Sequence, residues 1–386
     1  MTNFGDSMYA IACALLVYQL TESTFYSGLS LFLTSSTAIV QLLLSPLLDR
    51  VNMKRFLVAS QWLQAVLILA FPLLIFLGQL TVYHLLILMP LISLINQCVY
   101  PGQLSLLPKI VAELDLVKAN ALFSVAYQGS NAIFDTLAGL MITSLGFMTT
   151  FLMDSVIFVL VGLLFTCLSQ AIYQVPQDQR PEAVSHNYLY LLQQGLALFK
   201  DMRLFSLLVG VVFINFAATG ISAILPAFTQ GGLYYSWLLG AMGAGVIVGS
   251  LLSGLNMFKR CPLGLIYIVG LSLTGLSWLA VAYAQGNIWL TVGLYALGWT
   301  VVGLVNVYAQ TMLQKLVAQD KLASATGAMV GLSTFMAPIG ALLAGWLGEY
   351  LPSFRVMSLA SMMILAVSFY WFLTQSIRQL PSVDCM

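Results

Sequence analysis

The sequence predicts an all-α integral membrane protein with 12 transmembrane helices in two six-helix bundles. Three observations carry this. Of 386 residues, 60% are hydrophobic and only 7% charged, against about 25% charged in a soluble domain. Twelve apolar stretches can be counted, each long enough for a hydrocarbon core about 30 Å thick, which takes roughly 20 helical residues. The stretches are continuously apolar, without the alternating polarity of barrel strands.

The same numbers exclude other classes. Little chain is left for a domain outside the membrane, and a formal net charge of +1 excludes a basic nucleic-acid face. Cys13, Cys98, Cys167, Cys261 and Cys385 are odd in number and scattered without C-x-x-C spacing, which argues against a disulfide framework and a metal site. No cofactor is expected. His84 and His186 lie in or near loops with no clustered nucleophile and base, so the chain is not expected to be an enzyme.

In order, the first six segments cover 3–20, 26–48, 55–77, 83–107, 119–144 and 148–170. The second six cover 203–227, 235–257, 263–284, 288–312, 323–347 and 355–375. Of the 14 lysines and arginines, all but Arg355 fall on one side of this arrangement. Positive loops stay cytoplasmic, so both termini are expected inside the cell membrane. One missed crossing would invert every later loop and scramble that asymmetry.

The domain organisation follows. Residues 1–170 form one bundle, 171–202 a cytoplasmic linker, 203–375 the second bundle and 376–386 a cytoplasmic tail. Within the linker, Tyr188, Leu191, Leu192, Leu196 and Phe199 recur at helical spacing, which predicts an amphipathic helix over 187–200 at the membrane surface. The halves also repeat. At an offset of 206, LPKIVAELDLVKA (107–119) lies over LQKLVAQDKLASA (313–325) with six identities, and Ala138-Gly139 falls on Ala344-Gly345. Repeats related by an axis along the membrane normal place a substrate site between halves near the midplane. Asn3-Phe4 matches Asn215-Phe216, yet about a dozen residues of the seventh segment precede Asn215. The first segment is therefore expected to lack its inner end, with the true start upstream; no cleavable signal is apparent.

Polar residues recur at helical period in several segments, where they should face protein or a watery cavity. The second carries Ser30, Thr34, Thr37, Gln41 and Ser45; the fourth Ser93, Asn96, Gln97 and Tyr100; the fifth Ser124, Gln128, Asn131 and Asp135. The seventh adds Asn215, Thr219 and Ser222, and the tenth Trp299, Asn306 and Gln310. One such stripe could merely join helices by hydrogen bonds. Five together predict a central polar cavity lined by Asn96, Gln97, Tyr100, Gln128, Asn131, Asn215, Trp299 and Asn306.

Three acids sit inside segments, Asp6, Asp135 and Asp154, and no lysine, arginine or histidine lies well inside one. A buried carboxyl without a counter-charge is expected to be neutral until water, a cation or a conformational change reaches it. Proton coupling needs such a group, and Asp135 and Asp6 are the candidates. Asp154 is expected to cap its helix or sit in interfacial water near the outer end. Gly240, Gly243, Gly245, Gly249 and Gly254 follow no strand and precede no G-K-[ST], so they predict close helix packing and not a phosphate loop. Pro46, Pro72, Pro90, Pro101, Pro226 and Pro338 can bend or break helices.

The run Ser45-Pro46-Leu47-Leu48-Asp49-Arg50-Val51-Asn52-Met53-Lys54-Arg55 resembles the loop signature of the major facilitator superfamily, G-x-L-a-D-R-x-G-R-[RK]. Ser45 and Asn52 replace its glycines, and asparagine tolerates a left-handed turn. Asn256, Lys259 and Arg260 echo it in the second half. Asn96, Pro101, Leu107-Pro108 and Ala119-Asn120 are similar to the drug-exporter branch with macrolide-efflux and enterobactin-exporter-like members, as are Asn3-Phe4-Gly5-Asp6-Ser7 and Asp154-Ser155-Val156-Ile157-Phe158.

The resemblance implies the major facilitator fold and a cytoplasmic gate. Asp49 would meet a helix N-terminus of the other half, and Arg50, Lys54 and Arg55 would bind acids or lipid head groups. One departure stands out. Exporters of this type often carry G-P followed by glycine in the fifth helix, where this chain has Phe134-Asp135; Ala337-Pro338-Ile339-Gly340 lies in the eleventh. The expected function is export of a small lipophilic or amphipathic compound in exchange for protons, by a monomer whose other partners are membrane lipids, with no nucleic acid. The alternatives are an importer or lipid flippase of the same fold, a channel, or a non-transporting membrane scaffold.

Overall fold

A computed structural model describes residues 2–48, 52–104, 116–167, 201–230, 232–316 and 331–382. Within these, the side chains of residues 2, 42–48, 53, 100–104, 116–133, 136, 259, 310 and 313–316 are outside the description. The all-α membrane architecture expected from the sequence is what the chain adopts. Among the described residues, nine helical stretches are long and apolar enough to cross a membrane.

The first half holds α1 (Thr2–Thr21), α2 (Thr24–Leu48), α3 (Met53–Phe76), α4 (Val82–Leu104) and α5 (Leu116–Cys167). α5 is two arms joined at Gly146, whose φ of 79° and ψ of 168° interrupt the helix between the fifth and sixth expected segments. A side chain there would be strained, and glycine is not. Asn52 stands where the signature has a glycine, and it needs no left-handed conformation. At φ −64° and ψ 106° it is extended, and its Oδ1 accepts the Arg55 N–H at 3.1 Å, capping α3.

The second half holds α6 (Met202–Thr229), α7 (Gly232–Leu252), the short α8 (Asn256–Lys259), α9 (Leu263–Tyr283), α10 (Ile288–Leu316), α11 (Ala337–Tyr350), α12 (Ser353–Leu373) and α13 (Gln375–Arg378). Pro338 falls in the first turn of α11, where a missing N–H costs no hydrogen bond.

The chain divides into two compact units, Met1–Ala183 with Thr229–Ser236, and Val184–Phe228 with Trp237–Met386. In the first, α5 packs on α1 and α3, and α2 on α4. Phe71 of α3 stacks on Phe151 at 4.8 Å, and Ser155 Oγ donates to the Ala65 carbonyl at 2.9 Å. In the second, α9 packs on α10 and α12. Gly249 of α7 lies directly against the Thr300 carbonyl of α10, the close approach expected of the glycine-rich segment. The chain then returns on itself: Leu263 N–H donates to the Pro381 carbonyl at 3.1 Å, and Ile377 and Leu380 are buried. The expected helix over 187–200 lies outside the described residues.

Candidate functional site

Hydrocarbon offers polar side chains no partners, so each must find its own. A serine or threonine in a helix can do this locally, by donating to a carbonyl three or four residues back. The α2 stripe does so: Ser30 donates to the Ser27 carbonyl at 2.8 Å, Thr34 to Ser30 at 3.0 Å and Thr37 to Thr34 at 2.6 Å. In α6, Thr219 donates to Asn215 at 2.7 Å and Ser222 to Ala218 at 3.0 Å. These hydroxyls need no cavity. Several amides and carboxyls of the first unit instead meet one another or a neighbouring helix.

The convergence starts on α3. Gln61 and Gln64 are one turn apart and both fully buried. Gln61 Nε2 donates to Gln64 Oε1 at 3.2 Å, and Gln64 Nε2 donates to Asn96 Oδ1 on α4. With its oxygen occupied, Asn96 has its N–H groups left for Asp6 of α1, which it faces. Asp6 Oδ1 is buried without a hydrogen-bond partner among the described residues. The next residue on α1, Ser7, faces Asp135 on the first arm of α5. Tyr9 donates to the Met89 carbonyl at 2.8 Å and closes one side of the cluster.

Asp154 belongs to this cluster, and the capping or hydrated role expected of it does not hold. It is 0% exposed, and among the described residues neither carboxylate oxygen has a hydrogen-bond partner. Gly5 makes the space. A Cβ at that position would come within 2.7 Å of both Asp154 Oδ1 and the Phe158 ring. The second arm of α5 therefore presses its acid against α1 at Gly5, the residue before Asp6.

The second unit repeats the helix pairing without the acids. Phe216 of α6 meets the backbone of Gly340 in α11. By the internal repeats these positions correspond to Phe4 and Phe134, whose rings lie 5.0 Å apart between α1 and α5. Asp135 corresponds to Ala341, so the polar contact is peculiar to the first half.

Gln97 and Asn306 are exposed, Asn215 is half-buried with Nδ2 3.4 Å from the Ser333 carbonyl, and Trp299 packs 5.1 Å from Trp278. Of the expected gate, Lys54 is half-buried and Arg55 exposed; Asp49 and Arg50 lie outside the described residues. The side chains of Tyr100, Gln128 and Asn131 do too. Sequence reasoning missed Gln61 and Gln64. Their signal was present: two amides at i, i+3 in an otherwise apolar segment.

The Major Facilitator Superfamily model matches residues 1–341. YvqJ of Bacillus subtilis (strain 168), described as an uncharacterized MFS-type transporter, is 24% identical over 323 residues, covering 81% of this chain and 75% of that one. Among solved structures, a mutant of the nucleoside transporter NupG superposes with a TM-score of 0.73 at 13% identity, covering 96% of this chain and 97% of that one. A bacterial homologue of the lysosomal transporter Spinster, inward-facing and unoccupied, gives 0.69 at 13% identity, with coverages of 98% and 93%. A bacterial homologue of the iron transporter ferroportin gives 0.68 at 16%, with 97% and 96%. These structures share the fold. With most of its length matched by the family model, the chain belongs to the Major Facilitator Superfamily, and it is a multi-pass membrane transporter and not an enzyme.

Proposed function

We propose that this transporter exports small lipophilic or amphipathic compounds across the cell membrane by alternating access, in exchange for protons. The observation that supports it is a set of membrane-embedded carboxyls, Asp6 and Asp135 foremost, with no basic side chain placed inside the segments. An interior of this kind lacks a counter-charge for an anionic substrate and suits neutral or cationic ones. Each proton moved through 100 mV supplies about 2.3 kcal/mol. Asp135 and Asp6 are the coupling groups. Asn96, Gln97, Tyr100, Gln128, Asn131, Asn215, Trp299 and Asn306 line the substrate path, and Asp49, Arg50, Lys54 and Arg55 form the cytoplasmic gate.

A compound panel in cells with and without the protein tests this. Accumulation should fall when the protein is present, and an uncoupler should abolish the difference. Asp135→Asn should abolish export while the protein stays in the membrane; unchanged export at every pH would remove Asp135 from coupling. Everted vesicles that lose substrate, where an exporter would accumulate it, would reverse the direction.

A further inference from the structure

The last described residues bring two arginines to one end of the second unit. α13 follows α12 after a single residue and ends at Arg378. Leu263 N–H donates to the Pro381 carbonyl at 3.1 Å, and Pro262 pairs with Ser382 in an antiparallel bridge. Gly264 lies against the Ile377 and Arg378 carbonyls, with which any side chain there would collide. Arg260 caps α8, its N–H donating to the Asn256 carbonyl at 3.3 Å, four residues before Gly264. Two short helices, each ending in an arginine, are thus held to the start of α9. Both arginines are exposed. No aspartate or glutamate occurs in residues 250–275 or 353–382. Among the described residues neither arginine meets a carboxylate, whereas Arg203 is paired with Asp201.

An apolar seam runs from this charged end. α9 and α12 are joined where Ser368 Oγ donates to the Ile268 carbonyl at 2.7 Å. Flanking that contact, Leu265 and Val269 of α9 and Phe369, Phe372 and Leu373 of α12 are exposed. Arg378 stands over Phe372, its Cζ 6.0 Å from the ring centroid, so the positive and apolar surfaces are continuous. Guanidinium groups bind phosphate through paired hydrogen bonds, and basic pockets between membrane helices take anionic head groups. A soluble anion would use only the charged end; a phospholipid uses both. We propose that the second unit binds an anionic phospholipid, its headgroup phosphate held by Arg260 and Arg378 and its acyl chains lying along the seam between α9 and α12. This lipid site stands apart from the substrate and the direction of transport.

Native mass spectrometry of the full-length protein, released from nanodiscs of phosphatidylglycerol and phosphatidylcholine, tests the site. The wild type should retain phosphatidylglycerol in preference to phosphatidylcholine. Arg260→Gln and Arg378→Gln should each weaken that retention about five-fold, the weight of one basic residue near an anionic surface. Phe372→Ala keeps both charges and should weaken it too. Arg355→Gln, at the other end of α12, should leave it unchanged, and soluble glycerol 3-phosphate should not displace the lipid. Thermal unfolding in detergent gives a second reading: added phosphatidylglycerol should raise the midpoint of the wild type and of Arg355→Gln, and not that of the double variant Arg260→Gln/Arg378→Gln. Equal retention of the two lipids, a double variant that still holds phosphatidylglycerol, or a loss in Arg355→Gln as large as in Arg378→Gln would overturn the site. So would displacement by glycerol 3-phosphate or a Phe372→Ala variant without effect, since either would leave the seam no part in binding.

Discussion

Gly5 leaves room for the Asp154 carboxyl because it has no side chain, and that absence lets an acid of the sixth segment lie against α1. Trp371 shows the opposite use of a side chain. It is fully buried, fills the space left by Gly210, lies 5.6 Å from Tyr267 and donates its indole N–H to the Ser206 carbonyl at 2.9 Å. Trp371→Phe keeps most of the packing and loses that hydrogen bond, at about 1 kcal/mol. Trp371→Ala opens a cavity and costs about 3–5 kcal/mol. Thermal unfolding in detergent should rank wild type above Trp371→Phe and that well above Trp371→Ala; equal losses would mean the ring's bulk contributes little.

At the scale of elements, glycine spacing and caps set how helices meet and begin. A side chain at Gly249 would enter the Thr300 carbonyl and force α7 from α10, whereas Gly293 on α10 has nothing within 4 Å of its missing Cβ. Gly249→Leu should sharply reduce the yield of folded protein, as read by size-exclusion profile, and Gly293→Leu should leave it unchanged. α6 begins at Asp201, whose Oδ1 accepts the Arg203 N–H at 2.8 Å while Arg203 Nη2 lies 2.8 Å from Oδ2. The hydrogen bonds from Arg203 hold the Asp201 carboxyl below the usual carboxylate range. Such a cap stabilises above the ordinary aspartate range and is lost as pH falls through the depressed value.

At the scale of the whole molecule, alternating access needs two states of similar free energy, so a contact worth a fraction of a kcal/mol matters. A carboxylate at a helix N-terminus contributes about 0.3–1 kcal/mol. If Asp49 latches the gate, Asp49→Asn should slow turnover more than it weakens substrate binding, measured as flux against equilibrium binding; equal turnover would leave Asp49 a topological role alone. Much of this was legible in the chain itself. Long apolar runs determine that it is helical and membrane-embedded, since a backbone in hydrocarbon must bond within its own helix. Repeated residues such as Ala138-Gly139 and Ala344-Gly345 reveal the duplication, and the lone acids mark candidates because charge in lipid is rare. What no single segment carries is which polar groups meet. Thr34 looks like a cavity residue and bonds its own helix, Gln64 looks incidental and holds Asn96, and Asp154 looks interfacial and lies buried against Gly5. Those outcomes depend on how α1, α3, α4 and α5 pack, and packing joins residues that are far apart along the chain.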